Sequence, residues 1–183
     1  MIGDVTVISG PTAVGKGTVV HALKARHPEV WVSVSATTRP PRPTEVDGVH
    51  YRFVSNADFD ELIATDGLLE WATVHGRDRY GTPSQPVEAA VARGERVILE
   101  IDLQGARQVR QRLPGARLVF IAPPNWDELV NRLVGRGTEN AEQRERRLRT
   151  AQVELASAQE FDHVVVNDDL GRAVDDLVSL LGL

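Results

Sequence analysis

A short glycine-rich segment near the amino terminus has the residue types and the spacing of a phosphate-binding loop. It runs from Gly10 to Thr18 and reads GPTAVGKGT. Glycines let the backbone of such a loop turn its N–H groups inward around phosphate oxygens, and Lys16 supplies a positive charge for the outer phosphates. A helix that begins directly after the loop adds the positive end of its dipole. The alternative interpretation is a tight turn between a strand and a helix that binds no ligand.

The hydroxyl residue of this loop lies one position later than the strict pattern requires. The strict pattern places Ser or Thr directly after the lysine, but Gly17 occupies that position and the hydroxyl comes at Thr18. Thr18 is therefore expected to hold a phosphate. Direct binding of Mg²⁺ by the loop is not favoured, and we expect the ion to rest mostly on water and on nucleotide oxygens.

Two acidic residues follow a strongly apolar run at 97–101. They are Glu100 and Asp102, and an open α/β sheet presents its ligand crevice at the carboxyl ends of such strands. Acids at this place can organise the water around Mg²⁺ or accept hydrogen bonds from a substrate. Thr18 and Asp102 are the candidate contacts for Mg²⁺, mostly through water and nucleotide phosphates. The alternative is a solvated strand end.

Arginines are concentrated in two places. A proline-stiffened loop carries Arg39 and Arg42, three residues apart, which favours an anionic site over the alternative of a polar surface turn. The second group lies late in the chain and comprises Arg132, Arg136, Arg144, Arg146, Arg147 and Arg149. Because arginine pairs bidentately with phosphate oxygens, a lid that closes over phosphates needs such side chains. The alternative for the late group is a solvated helix with i,i+4 pairs of Glu142 with Arg146 and of Glu145 with Arg149.

The elements that must position these residues follow an α/β pattern with a largely parallel sheet. Nearly unbroken apolar runs, typical of strands covered on both faces, lie at 4–9, 96–101, 117–122 and 163–166. Helical patterns lie at 15–27 and 170–181. Two regions differ from this pattern. The segment 33–83 predicts a small mixed β insertion, with short strands near 49–54 and 68–74. In the segment 125–150, Asn125 can cap one helix, and Asn140 with Gln143 resembles a capping box for another.

Composition excludes several classes of protein. The chain has 183 residues, enough for one domain with inserted parts, and it has no cysteine, which excludes disulfides, cysteine zinc sites and thiol catalysis. A net charge of −5 argues against general nucleic-acid binding. No apolar run approaches the ~18 residues of a membrane span, and no basic signal segment opens the chain. We expect a cytoplasmic protein. The five histidines are scattered and do not predict a metal site.

These segments together resemble the guanylate kinase family over essentially the whole chain. The motifs that carry the resemblance are GPTAVGKGTV at 10–19, SVSATTRPPRPTEVDGVHY at 33–51, LLEWA at 68–72, YGT at 80–82, LEIDLQGA at 99–106, LVGRGTE at 133–139 and VVVNDD at 164–169. The phosphate loop alone is shared by very many proteins. The order SATTRPPRP, LEW and YGT is highly specific.

The resemblance implies transfer of the terminal phosphoryl group of ATP to GMP, with Mg²⁺ as cofactor. It implies a P-loop nucleoside monophosphate kinase fold with a parallel-sheet core (about 1–33, 84–124 and 151–183), a small mixed-β GMP-binding subdomain (about 34–83) and a helical lid (about 125–150). The implied partners are the small molecules ATP and GMP, with dGMP as a further acceptor. No nucleic acid, membrane or protein partner is implied.

The resemblance also assigns residues by matching position. For ATP it implies Gly10, Pro11, Thr12, Ala13, Val14, Gly15, Lys16, Gly17, Thr18 and Asn167, the last near the adenine. For the GMP phosphate it implies Arg39, Arg42, Tyr51 and Tyr80. For the guanine it implies Glu70, which accepts from the N1–H and the exocyclic amine, with Ser35, Thr82 and Asp102. The implied catalytic cations are Lys16, Arg39, Arg132, Arg136 and Arg147.

Three positions depart from the family pattern. Gly17 replaces a serine found in many members, Glu100 stands where aspartate is common, and the segment 77–79 (RDR) precedes Tyr80 in place of the usual Asn-Tyr. Two alternatives stay open. One is a related kinase with another acceptor such as AMP, UMP or a phosphorylated sugar, although Glu70 and Thr82 argue against the two nucleotides. The other is a non-catalytic module that binds phosphorylated partners, although the presence of Lys16 argues against it.

Overall fold

The computed structural model describes residues 5–74, 77–134 and 141–183. In chain order the elements are β1 (Val5–Ser9), α1 (Lys16–Arg26), β2 (Trp31–Val32), β3 (Ala36–Thr37), β4 (Arg52–Phe53), α2 (Asn56–Ala64), β5 (Leu68–Val74), β6 (Asp78–Pro83), α3 (Ser84–Ala92), β7 (Val97–Glu100), α4 (Leu103–Arg112), β8 (Arg117–Ala122), α5 (Trp126–Val134), α6 (Ala141–Ala156), a 3₁₀ turn (Ser157–Glu160), β9 (His163–Val166) and α7 (Leu170–Leu181).

A five-stranded parallel sheet forms the centre of the fold, in the order β2–β7–β1–β8–β9. The central strand β1 pairs on both sides, so that Val7 lies opposite Leu99 and Leu118. The four predicted core strands are confirmed. The edge strand β2 was not predicted, because its two residues are too few to show a pattern.

Both faces of the strands β1, β7 and β8 are covered, which explains why these strands are largely apolar. The edge strand β9 differs from the prediction of a strand covered on both faces, because Val164 and Val166 are exposed and only Val165 is buried. One face of the sheet packs Ile8, Ile98 and Val119 against helices α1, α5 and α7. The other face packs Val7 and Leu99 against α3 and α4. A fully buried aliphatic side chain of this kind contributes about 1.5–3 kcal/mol relative to an exposed one. The two faces together therefore hold the carboxyl ends of the strands, and the loops that follow them, in fixed positions.

A second, mixed sheet has the order β4–β3–β6–β5 and confirms the predicted β insertion. Strands β5 and β6 form an antiparallel pair, whereas β3 and β4 run parallel. Helix α2 covers this sheet with Phe59, which is fully buried, and a capping box between Ser55 and Asp58 starts the helix. The predicted strand near 49–54 is shorter than expected, because only Arg52–Phe53 pairs as a strand.

The late helices follow their predicted caps where the structure describes them. The Oδ1 atom of Asn125 accepts a hydrogen bond from the Glu128 amide at 2.8 Å, as predicted for the start of α5. Asn140 and the side chain of Gln143, the predicted capping box, lie outside the described part of the chain. Helix α6 continues through residue 150, where we had placed the end of the lid. Among the helices of the described segments, none has the length and apolar character that crossing a bilayer requires.

Candidate active site

The phosphate-binding loop connects β1 to α1 in a conformation that few side chains tolerate. Gly15 has φ +96°, and a Cβ atom there would lie 2.7 Å from the Nδ2 atom of Asn167. Ala13 has φ +68°, a left-handed conformation that costs an L-residue about 1–2 kcal/mol. No side chain caps the first turn of α1 and no acidic residue lies in it, so the helix offers its amides to an anion.

Lys16 folds back over this loop. Its Nζ atom donates to the carbonyl oxygens of Gly10 at 2.5 Å and of Pro11 at 3.3 Å. An ammonium group has donor capacity beyond these two bonds, which leaves a donor for a phosphate oxygen. Burial holds the pKa of Lys16 below its ordinary value, although three nearby carboxylates favour its charged form. Those carboxylates belong to Glu154, Glu100 and Asp102.

Two residues predicted to contact ATP support the loop from behind. Asn167 is 8% exposed, and its Nδ2 atom donates to the carbonyl oxygen of Val14 at 2.8 Å. The guanidinium of Arg132 donates to the same Val14 oxygen at 3.2 Å and to the backbone oxygen of Asn167 at 3.3 Å. In this structure, Arg132 therefore contacts the backbone of the loop. Each terminal nitrogen of Arg132 carries a second N–H, which leaves donors for the predicted contact with phosphates.

Glu100, at the end of β7, lies beside Gly17, the loop position where the strict pattern has Ser or Thr. A Cβ atom on Gly17 would lie 3.4 Å from an Oε atom of Glu100, which is ordinary van der Waals contact. The longer Glu100 side chain therefore lies beside the glycine, so the two departures from the family pattern are spatial neighbours. Burial raises the pKa of Glu100, while the charge of Lys16 lowers it. Asp102 caps helix α4, its Oδ1 atom accepting from the Gly105 amide at 2.8 Å.

A cavity of about 240 Å³ opens between the two sheets and joins the phosphate loop to the mixed sheet. Eight residues predicted from the sequence line it: Thr12, Lys16, Ser35, Tyr51, Glu70, Tyr80, Glu100 and Asp102. Ala72, Val74, Ile101 and Glu154 complete the lining. The residues predicted for the two nucleotides therefore face one continuous space.

Glu70 is the buried acid of this cavity. It is 5% exposed, and its Oε1 atom accepts a hydrogen bond from the Thr82 hydroxyl at 2.7 Å. Burial, with a contribution from the charge of Asp102, raises the pKa of Glu70 to about 7, against the lowering effect of the Thr82 hydrogen bond. A carboxylate with one oxygen held by a hydroxyl can present its other lone pairs to donors in the cavity.

Gly105 was not predicted as a site residue, yet it makes room for this carboxylate. A Cβ atom at Gly105 would lie 2.5 Å from the Oε2 atom of Glu70 and 2.9 Å from its Cδ atom. Both distances are shorter than atoms tolerate. The only signal in the sequence is a glycine in the first turn of a helix, where glycine is unfavourable by about 1 kcal/mol relative to alanine.

We expect Gly105→Ala to weaken GMP binding about tenfold, the factor that ~1.4 kcal/mol represents, because the new methyl group displaces the Glu70 carboxylate. Alanine favours the helix, so the variant should fold. Calorimetric titration with GMP measures the effect. Gln104→Ala, which changes an exposed neighbour on the same helix, is the matched control. Unchanged GMP affinity in the Gly105 variant would show that Glu70 does not contact the acceptor.

Three of the four residues predicted for the GMP phosphate form one cluster. The Nε atom of Arg39 donates to the Tyr80 hydroxyl at 3.0 Å, and its guanidinium lies 5.4 Å from the centre of the Tyr51 ring. The fourth residue, Arg42, has an exposed side chain and joins the cluster only through its backbone N–H. The proline-stiffened loop thus presents Arg39, not both arginines, to the mixed sheet.

Glu45 completes this cluster and was not predicted. Its carboxylate accepts from Nη1 and Nη2 of Arg39 at 2.8 and 2.9 Å, and from the Arg42 amide at 2.7 Å. Arg39 lowers the pKa of Glu45 to about 2. A carboxylate therefore occupies the fork of Arg39 that we predicted to hold a phosphate. An acid three residues after a basic pair is too common in loops to reveal such a contact.

The late arginines divide into two groups. The i,i+4 ion pairs of the alternative interpretation are present and lie in solvent. Glu142 pairs with Arg146 at 3.2 Å, and Glu145 pairs with Arg149 at 2.7 Å. Arg147 lies on the same helix but is half-buried. Arg136 lies outside the described residues. Within those residues, Arg132 and Arg147 therefore stay the candidates for contacts with phosphates.

Glu154, on the last turn of α6, reaches the phosphate loop. Its Oε2 atom accepts a hydrogen bond from the Thr12 amide at 3.2 Å. Burial raises the pKa of Glu154, and the charge of Lys16 lowers it. Sequence reasoning missed this residue, since 142 positions separate the two partners.

Comparison with known proteins agrees with this geometry. The family model described as guanylate kinase matches residues 3–182. A guanylate kinase of Cutibacterium acnes is 64% identical over 179 residues, which cover 98% of this chain and 90% of that protein. A guanylate kinase of Thermobifida fusca is 58% identical over 96% of this chain and 89% of its own length. The crystal structure of guanylate kinase from Anaplasma phagocytophilum superposes with a TM-score of 0.79 at 30% identity, covering 98% of this chain and 85% of that one. The chain belongs to the guanylate kinase family.

Proposed function

We propose that this protein transfers the terminal phosphoryl group of ATP to GMP and releases ADP and GDP. The observation that carries the proposal is the single cavity that holds Lys16 of the phosphate loop at one end and the Glu70 carboxylate at the other. Family membership supports the same reaction. In the transfer, an oxygen of the GMP phosphate bonds to the γ phosphorus as the bond from that phosphorus to the ADP oxygen breaks.

The acceptor end of the cavity fits guanine. Guanine presents two donors, N1–H and the exocyclic amine, on one edge, and a carboxylate such as Glu70 accepts both. Adenine presents an acceptor at N1, which the Glu70 carboxylate repels. Thr82 orients the carboxylate through its hydrogen bond, and Ser35 and Asp102 lie at the same end. Tyr51, Tyr80 and Arg39 supply donors for the GMP phosphate, once Arg39 releases part of its pairing with Glu45.

The donor end of the cavity provides positive charge with little movement of the protein groups that carry it. The loop amides and the start of α1 hold the ATP phosphates, and Lys16 faces the group in transfer. Arg132 and Arg147 approach from α5 and α6. We infer that these helices and the segment between them act as the lid, and that its closure keeps water from the γ phosphate. The division into core, GMP-binding subdomain and lid is part of this proposal.

The residues present fit Mg²⁺ as cofactor. Within the described ranges, no group of three or more His, Cys, Asp and Glu side chains could hold a metal ion by itself. Mg²⁺ prefers oxygen ligands and usually keeps several waters, so Asp102 and the exposed Thr18 hydroxyl would hold it mainly through water. Bound there, Mg²⁺ would supply positive charge against the charge that develops on the phosphates.

The two alternatives are less well supported. A kinase for AMP or UMP would meet the buried Glu70 carboxylate in place of a matching donor. A non-catalytic binding module has no need of a strained loop that holds a half-buried lysine. A cytoplasmic location stays a prediction.

An ADP-release assay with ATP and Mg²⁺ tests the proposal, with GMP, dGMP, AMP and UMP as separate acceptors and a reaction without acceptor as the blank. We expect turnover with GMP and dGMP, and rates near the blank with AMP and UMP. Faster turnover with AMP or UMP would reject the guanine assignment. A folded protein that binds ATP but turns over no acceptor would reject the kinase assignment.

A further inference from the structure

Glu154, on helix α6 near the carboxyl end of the chain, accepts a hydrogen bond from an amide of the phosphate loop. Its carboxylate accepts from the Thr12 N–H at 3.2 Å and lines the cavity between the two nucleotide sites. The amides of such a loop are the groups that surround phosphate oxygens. One amide of the loop therefore donates to an acidic side chain of the protein itself.

The surroundings of Glu154 make a further negative charge unfavourable. Lys16 is the cation that faces it, whereas Glu100 and Asp102 line the same space. Three carboxylates thus share the field of one ammonium group. Like charges that line one partly buried cavity repel one another, because solvent screens them poorly. Triphosphate oxygens that enter the loop must meet the same unfavourable field at Glu154.

The position of Glu154 connects the loop to α6. Ala151, one turn earlier, is fully buried, and Leu148 and Leu155 pack against the main core. The half-buried Arg147 lies two helical turns before Glu154 and therefore on the same face of the helix. One face of α6 thus carries an anion that contacts the loop and a cation suited to phosphates.

We propose that the Glu154 carboxylate competes with the ATP phosphates for the phosphate loop, and that their binding releases Glu154 and thereby couples nucleotide binding to α6. The proposal rests on the proposed function for the identity of the nucleotide. The release works in both directions, since whatever stabilises the Glu154 contact must weaken ATP binding by the same factor. Release also frees the face of α6 that carries Arg147 to approach the phosphates. Glu154 is thus a positioning residue that acts through the loop and the helix.

The variant Glu154→Gln removes the charge and keeps the shape, since an amide oxygen still accepts from the Thr12 N–H. We expect the Kd for Mg-ATP, measured by calorimetry without GMP, to fall about fivefold or more, which is the lower end of usual coupling between two binding events. The Kd for GMP should not change. In turnover assays the KM for ATP should fall with it. A loss of structure alone cannot tighten binding.

Glu145→Gln is the matched control, because Glu145 lies on the same helix and pairs with Arg149 in solvent. It should leave the Kd for ATP unchanged. Unchanged or weaker ATP binding by the Glu154 variant, with a melting temperature that shows a folded protein, would overturn the proposal. Weaker binding would mean that Glu154 supports the nucleotide-bound state by keeping Lys16 charged. Because the readout is ATP binding alone, it is separate from the question of which acceptor the enzyme uses.

Discussion

Replacement of Lys16 by alanine is expected to lower kcat by at least about 10²-fold, the usual cost of removing one preorganised donor to a developing charge. The Lys16 ammonium lies in the loop, bound to the Gly10 and Pro11 carbonyls, and faces the cavity. Within the described residues, no second lysine reaches that cavity. The measurement is steady-state turnover of GMP with saturating ATP and Mg²⁺, corrected for the blank without acceptor.

Lys24→Ala is the control for this variant, since Lys24 is the only other lysine of the chain. Its Nζ atom donates to the carbonyl oxygens of Pro28, at 2.8 Å, and Val30, beyond the end of α1. Its loss should cost about 1 kcal/mol of stability and leave kcat unchanged. If the Lys16 variant kept more than a few per cent of the turnover, then arginines and Mg²⁺ would stabilise the transferred group without the lysine.

The parts of the site that the sequence predicts are those encoded by short local patterns. The strand before the phosphate loop, the glycines of the loop and the helix after it lie within about twenty consecutive residues, and their order alone predicts their arrangement. Glu70 and Thr82 were assigned by resemblance, and the antiparallel register of β5 with β6 places them opposite each other. The guanine end of the cavity therefore follows from motifs and one strand pairing.

The parts that the sequence does not predict depend on contacts between distant segments. The resemblance assigned Asn167 to ATP but did not predict its hydrogen bond to the Val14 carbonyl, 153 positions away. Glu154, which was not predicted at all, reaches Thr12 across 142 positions. Each is a common polar residue in an ordinary helix or strand end. Only the pairing of β9 with β8 and the packing of α6 on the main core bring them to the loop, and no periodic pattern in the sequence encodes these contacts. Gly105 and Glu45 were missed for the same reason, since their partners lie on other elements.

Glu70 should decide both the choice of base and the pH dependence of GMP binding. Glu70→Gln replaces one acceptor by an amide N–H₂ group, which opposes the guanine donors and suits the adenine N1 acceptor. We expect kcat/KM for GMP to fall by about 10²-fold or more, since a site built for specific hydrogen bonds discriminates strongly. The ratio of GMP to AMP turnover should fall with it. The variant still accepts from the Thr82 hydroxyl, so its fold should be retained.

The pH dependence has a definite sign, because the carboxylate and not the carboxylic acid accepts from both guanine donors. With the pKa of Glu70 raised to about 7, kcat/KM for GMP should fall as the pH decreases below about 7. The GMP phosphate also titrates near pH ~6, so the wild type must be compared with the Gln variant, in which only the substrate titrates. An identical profile in both proteins would show that Glu70 does not control binding.

The stability of the protein without nucleotide tests the same pKa independently. A carboxyl group with a raised pKa keeps its proton in the folded state up to about pH 7, whereas the unfolded chain releases it near the ordinary glutamate pKa of 4.5. The free energy of unfolding therefore decreases as the pH rises from 4.5 through 7, by about 3 kcal/mol at most. Glu70→Gln abolishes this loss, so its stability relative to the wild type should increase across that range and stay constant above it. Urea unfolding at several pH values measures the difference. A constant difference from pH 4.5 to 8 would mean that Glu70 ionises normally despite its burial, and the cavity would then hold its carboxylate ready for guanine without an energetic cost.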